Sequence, residues 1–264
     1  MKILITGGAG FIGSHLCEEL AVANQIVCLD DFSTGVKANK ILSVEYVEGS
    51  TCHTSSLIKF SPDIVFHLGE YSRVEQSFED IESVWKSNVL GAFEVIKFCL
   101  ANNRKLIYTG SNTKYGDGGL GRDQTPCAWT KASNTELIAN FGRWYGLKYA
   151  VCYFYNAYGP REIRRGKYAT LSGIFSEKYL SGESLPVVDP GTQRRNFTHV
   201  KEIVAGVILG GEKGGGDGYG IGNQASYTVL EVARMFNAEI KMLPARAGNR
   251  LDAYLNNKKL LDLG

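Results

Sequence analysis

Residues 126–134, PCAWTKASN, place Lys131 four positions after Cys127, one helical turn apart. A tyrosine at the earlier position would complete a proton-handling pair, because an ammonium lowers the pKa of a neighbouring acid. The thiol that stands there instead invites ionisation too, since a free cysteine titrates near ~8.5 and a nearby cation lowers that. Its difficulty is reach. Without the ring, the sulfur falls roughly 3–4 Å short of where a phenol oxygen would sit. A general base acts within about 2.6–3.2 Å of its proton, or through one water. Covalent catalysis by the thiol is disfavoured, because none of the four histidines stands at a suggestive spacing.

A second constellation lies at the start of the chain, in TGGAGFIGSHL, residues 6–16. Gly7, Gly10 and Gly13 allow a tight turn, close approach of backbone N–H groups to a pyrophosphate, and packing of helix on strand. Phe11 and Ile12 sit between them, where a helix N-terminus would add its partial positive charge. Asp30, Asp31 and Ser33 follow in LDDFSTG, at the end of the second expected strand. An acid there accepts hydrogen bonds from ribose hydroxyls and repels a 2′-phosphate, so NAD is favoured over NADP.

These residues need a scaffold that brings distant loops together. Short β-branched runs at 2–6, 25–29, 44–47, 63–68, 105–108 and 148–155 read as strands. Helical patterns at 14–23, 81–101 and 128–145 alternate with them. The alternation predicts an α/β class fold of Rossmann type, a doubly wound parallel sheet covered on both faces. Ligands of such a sheet bind beyond the carboxyl ends of its strands, where the strand order reverses. Past Tyr158 the pattern loosens into Gly-, Pro- and charge-rich connections. We read residues 1–160 as the dinucleotide-binding domain. Residues 161–264 then form a smaller mixed α/β region, the far wall of a cleft, with interleaving contributions. GEKGGGDG at 211–218 reads as a surface turn.

Composition narrows the function classes. With 44% apolar and 21% charged residues and a net charge of +2, the chain is an ordinary globular protein. It has no basic, aromatic-interleaved stretch for nucleic acid and no apolar run long enough to span a bilayer. The opening MKILITGG breaks into glycine too soon for a signal peptide. Six cysteines lack metal-ligand spacing, which suggests small buried hydrophobes in a reducing, cytoplasmic setting and no metal.

Taken in order, the motifs resemble the extended short-chain dehydrogenase/reductase family, in particular its NAD-dependent nucleotide-sugar epimerases and dehydratases. VFHLGEYSRVEQS (65–77) is similar to the family's segment beside the nicotinamide, carrying Leu68 and Gly69. NVLGAFEV carries Asn88, which would hold active-site backbone, and YTGSNTKYG carries Ser111 at the catalytic hydroxyl position. YNAYGPR, QRRNFTHV, GYGIGN and RAGN resemble pieces of the sugar-nucleotide site, assigning Asn156, Arg195 and Arg246 to the diphosphate and nucleotide. The resemblance implies that Ser111 bridges sugar and base, that Lys131 lowers the base's pKa and holds the nicotinamide ribose, and that hydride passes to and from NAD. It also implies a UDP-sugar substrate, a setting such as polysaccharide biosynthesis, and a homodimer built from the 81–101 and lysine helices.

Within that family, dehydratases and decarboxylases carry an acid just after the catalytic hydroxyl. Asn112-Thr113-Lys114 offers none, so C4 epimerisation is the default. Several departures accompany Cys127: Glu70 where relatives keep alanine, Ser50 for an adenine-binding Asp, Lys201-Glu202 for paired aspartates, and Asn249 for Asp. Relatives continue for a few tens of residues beyond a Leu-Gly like Leu263-Gly264, so a thinner cleft wall is expected. Glu70 is expected to be solvated or paired with Arg73, with a replacement base as the sharper reading. Tyr71, Tyr115 and Tyr158 are other candidate phenols. Three functions follow: an epimerase impaired at position 127, a dehydratase or oxidoreductase, or a catalytically silent NAD and sugar-nucleotide binder.

Overall fold

A computed structural model describes residues 1–245, 250–252 and 254–264. Its centre is a seven-stranded parallel sheet. The first six strands are β1 (Lys2–Thr6), β2 (Gln25–Asp30), β3 (Glu45–Glu48), β4 (Ile64–His67), β5 (Lys105–Ser111) and β6 (Tyr149–Phe154). The seventh, Gly216–Ile221, adds beside β6, giving the spatial order seventh-β6-β5-β4-β1-β2-β3. The order therefore reverses between β1 and β4, and the crevice at their carboxyl ends is where a doubly wound sheet binds ligand.

Strand alternation sends side chains to two cores. Ile3 and Ile5 face one with Leu16 and Leu20 of α1 (Phe11–Leu20) and with Ile203, Val204 and Val207 of the Val200–Lys213 helix. Leu4 faces the other, with Val95, Ile96 and Phe98 of the Ala92–Ala101 helix and Ile138 of the lysine helix, Pro126–Tyr145. Covering both faces explains why these strands are apolar runs and not alternating ones. A separate small core gathers Phe175, Leu185, Val187, Val229 and Ala233.

Three local results bear on the site. Strand β5 runs to Ser111, three residues past the expected end, and carries that hydroxyl to the crevice. The expected 81–101 helix is instead interrupted by a stretch of π-helix, Trp85–Gly91, holding a fully buried Asn88. The lysine helix starts at Pro126, earlier than the apolar pattern suggested. Thr125 caps it by accepting the Ala128 N–H at 3.1 Å, and a proline costs nothing in the first turn. The 211–218 stretch is more than a turn: its second half opens the seventh strand, while Lys105 Nζ binds the carbonyls of Gly211 and Gly214. No helix among the described residues is long and apolar enough to cross a membrane.

Candidate active site

The glycine loop is built so that side chains cannot occupy it. Gly7 has φ +74°, and a Cβ there would lie 2.8 Å from the Gly69 nitrogen. At Gly13 a Cβ would meet the Gly7 oxygen at 2.1 Å, whereas at Gly10 the nearest atom is that same oxygen at 3.3 Å. Asp30, at the end of β2, ties the loop in place: its two oxygens accept the N–H groups of Ala9 and Phe32, each at 2.8 Å. Burial raises this carboxyl's pKa, and the two backbone hydrogen bonds only partly offset it. Asp31 is exposed, with Oδ1 accepting the Ser33 N–H and hydroxyl.

One cavity of about 720 Å³ joins this loop to the region of position 127. Gly7, Gly10, Phe11, Ile12, Gly13, Asp30, Asp31 and Ser33 line one end, with Ser50 near them. Leu68 and Gly69 line its middle, and Ser111, Cys127, Lys131 and Asn156 line the other end. Asn88 works from behind the wall. Its side chain accepts the Tyr71 N–H at 2.7 Å and donates to the Tyr71 carbonyl at 3.0 Å, fixing the loop that follows β4. Arg195 is not on this wall; its Nη1 and Nη2 donate to the carbonyls of Arg194 and Arg250. Arg246 and Asn249 lie outside the described residues.

Lys131 is buried, and its ammonium donates to the Thr109 carbonyl at 2.9 Å and to Glu70 Oε2 at 2.5 Å. Glu70 is neither solvated nor paired with Arg73, contrary to expectation. Its side chain is 0% exposed and lies beneath the site. Tyr108 donates its hydroxyl to both carboxylate oxygens, at 2.9 and 3.1 Å, and Asn134 donates to Oε1 at 3.0 Å. His67 Nε2 is 3.6 Å from Oε1. Burial alone would raise this carboxyl, but the Lys131 charge and then His67 outweigh it, holding the pKa down at about 2. Arg73 instead donates Nε to the Tyr168 carbonyl at 2.7 Å.

Cys127 is 2% exposed, and its thiol points at the Tyr71 carbonyl at 3.5 Å. Ionisation of this thiol, anticipated from the adjacent lysine, does not follow. Burial pushes it up to about 11; Lys131 and Arg73 pull it down, and Glu70 pushes it up again. Position 127 thus lacks both reach and charge. Ser111 is better placed: its oxygen accepts the Thr113 hydroxyl at 2.8 Å and N–H at 3.3 Å, leaving its own proton for the cavity. No candidate phenol replaces the missing one. Tyr71 and the unanticipated Tyr168 donate to Asp80, Tyr115 packs edge-on against Tyr153, and Tyr158 sits against His199.

Tyr108 and Asn134 escaped the sequence reading, although signals existed. Asn134 is three residues after Lys131, on the same helix face, and Tyr108 is in register with His67 on the neighbouring strand.

Against known proteins, residues 3–222 match the family model described as the NAD dependent epimerase/dehydratase family. The chain belongs to that family. It is 30% identical to UDP-glucose 4-epimerase of Mycolicibacterium smegmatis, covering 98% of this chain and 91% of the relative. Identity to UDP-glucuronic acid decarboxylase 6 of Arabidopsis thaliana is 28%, over 91% of this chain and 75% of that one. The fold is also that of Thermus thermophilus UDP-glucose 4-epimerase in complex with NAD: TM-score 0.91, 26% identity, 99% and 92% of the two chains covered. Its cofactor is NAD. The residues present suit it, because the three glycines leave a cradle that any Cβ at Gly7 or Gly13 would fill, and an acid ends β2.

Proposed function

We propose that this family member catalyses C4 epimerisation of a UDP-hexose by transient oxidation to a keto-sugar, at a rate limited by Cys127. The observation that carries this reading is the shared cavity, with the glycine loop at one end and Ser111, Lys131 and position 127 at the other. NAD, when bound, supplies the hydride acceptor and donor. Ser111 orients the sugar hydroxyl with the proton it keeps free. Cys127 cannot reach that hydroxyl directly and holds its own proton, so as hydride leaves for NAD the hydroxyl proton passes to solvent water in the cavity, and a proton returns from solvent when hydride comes back. Elimination and decarboxylation are disfavoured because no carboxylate follows Ser111: Thr113 binds Ser111, and Lys114 turns away to Asp217. Asn156 on the cavity wall and Arg195 from outside it are proposed to serve the nucleotide diphosphate, a role proposed for Arg246 on its sequence motif alone.

A second reading, a silent binder of NAD and sugar nucleotide, is favoured by the Glu70–Lys131 pair, which occupies the lysine. One experiment separates the two. The purified chain and Cys127→Tyr are tested for bound NAD and for turnover of UDP-glucose and UDP-N-acetylglucosamine. Slow formation of the C4 epimer, raised about 10²-fold or more by the phenol, is expected. A Cys127→Tyr protein that binds NAD yet remains inert, both alone and combined with Glu70→Ala, overturns the epimerase reading, and elimination products overturn the reaction type.

The six free cysteines fit a cytoplasmic enzyme. A homodimer through the lysine helix and its neighbour is proposed on the exposed apolar face there. Trp85 and Trp129 stack 6.1 Å apart while remaining 47% and 43% exposed, beside Ile81, Leu90 and Phe93. Sedimentation should report a dimer that Trp129→Glu converts to monomer; an unchanged dimer would place the interface elsewhere.

A further inference from the structure

The Glu70 cluster has no role in the reaction as described, yet it holds one of that reaction's central groups. A carboxylate offers about four acceptor sites. Lys131 donates to Oε2, Asn134 donates to Oε1, and the one Tyr108 hydroxyl proton is shared between the two oxygens. With three donors on its oxygens, no exposed side-chain atom and a strongly acidic carboxyl, Glu70 is unsuited to remove a proton from substrate. Its geometry acts on Lys131 instead. An ammonium 2.5 Å from a buried carboxylate forms a pair with no net charge, and its field at a neighbouring group largely cancels.

We propose that Glu70 is a positioning residue that locks Lys131 into a buried neutral pair, withdrawing the lysine's charge from position 127 and from the cofactor's ribose. The departures at 70 and 127 then act as a unit: one removes the phenol, the other the cation that would acidify it. Restoring tyrosine alone would leave it beside a neutralised lysine. The inference deepens the epimerase reading and takes its functional meaning from it, but its first test needs no turnover.

Among the described residues, the charged and titratable groups facing Cys127 are Lys131 on its own helix, Glu70 and Arg73 after β4, and the Tyr71 and Tyr108 phenols, with His67 of β4 behind Glu70. Alkylation of Cys127 by iodoacetamide, followed across pH by peptide mass spectrometry of the full chain, reads the net field there. Glu70→Gln keeps an acceptor and a donor in place and removes the charge. It is expected to lower the midpoint of Cys127 alkylation by about one pH unit or more. Glu70→Gln with Lys131→Met should bring the midpoint back up, showing that the effect runs through the lysine. An unchanged midpoint in folded Glu70→Gln, or a fall that survives Lys131→Met, overturns the proposal. In the Cys127→Tyr background, Glu70→Ala should raise turnover about a further tenfold and move the pH–rate profile to lower pH. If Cys127→Tyr alone already matches the double variant, the lock is refuted. If neither turns over but the alkylation midpoint moves, only the epimerase reading fails.

Discussion

The two ends of the cavity have been treated differently by the sequence. At the glycine end, position after position meets a backbone requirement: positive φ at Gly7, no room at Gly13, a carboxylate receiving two loop N–H groups at Asp30. At the far end the backbone is equally well built. Thr125 caps the lysine helix, Asn88 clamps the loop after β4, and β5 delivers Ser111 to the crevice. What differs there is confined to side chains. Fold and cofactor cradle depend on main-chain geometry that a cysteine or a buried glutamate leaves intact, whereas proton transfer depends on a few ångströms of side-chain reach.

The sharpest way to break this contrast is at the intact end. Gly13→Val would force a Cβ to within 2.1 Å of the Gly7 oxygen before its methyls are counted, so the loop must open. NAD binding, followed by fluorescence or calorimetry, should fall by at least about 10²-fold, with far-UV circular dichroism retained because only the loop is affected. Normal NAD affinity in this variant would mean that the cradle does not bind the pyrophosphate. At the altered end, Cys127→Tyr should leave NAD affinity within a few-fold while raising turnover about 10²-fold. Equal effects on binding and rate would erase the distinction between the two ends.

Much of this was legible in residue order. Glycine spacing, an acid at the end of β2 and alternation of strand and helix are local patterns, and the sheet followed them closely. The lysine and its missing partner were legible for the same reason, as two residues one turn apart. The state of Cys127 was not. A cation one turn away suggests ionisation, but the thiol faces Tyr71, 56 positions distant, and the carboxylate competing for that cation is 61 positions from the lysine. The fate of Glu70 was hidden likewise, since its partners come from β4, β5 and the lysine helix. The π-helical stretch also escaped, because its apolar spacing passes for one continuous helix.

The smallest effect expected is on stability, and it sets the two ends against each other through their buried acids. Glu70 has a folded pKa of about 2, below the ~4.3 of an unfolded glutamate. Its contribution is therefore complete above the unfolded pKa and is lost as pH falls toward 2. Asp30 is shifted the other way, by burial, so it opposes folding at neutral pH and that opposition is relieved as the carboxyl takes up a proton. Urea midpoints measured at pH 6, 4 and 3 should fall with acid in the native chain. In Glu70→Gln the acid-dependent part of the fall should shrink, and in Asp30→Asn it should grow. If both variants follow the native pH dependence, the two acids do not differ in the way their surroundings require. A reversed pair of slopes would instead mean that burial outweighs the neighbouring charge at Glu70 and that the two loop hydrogen bonds outweigh burial at Asp30.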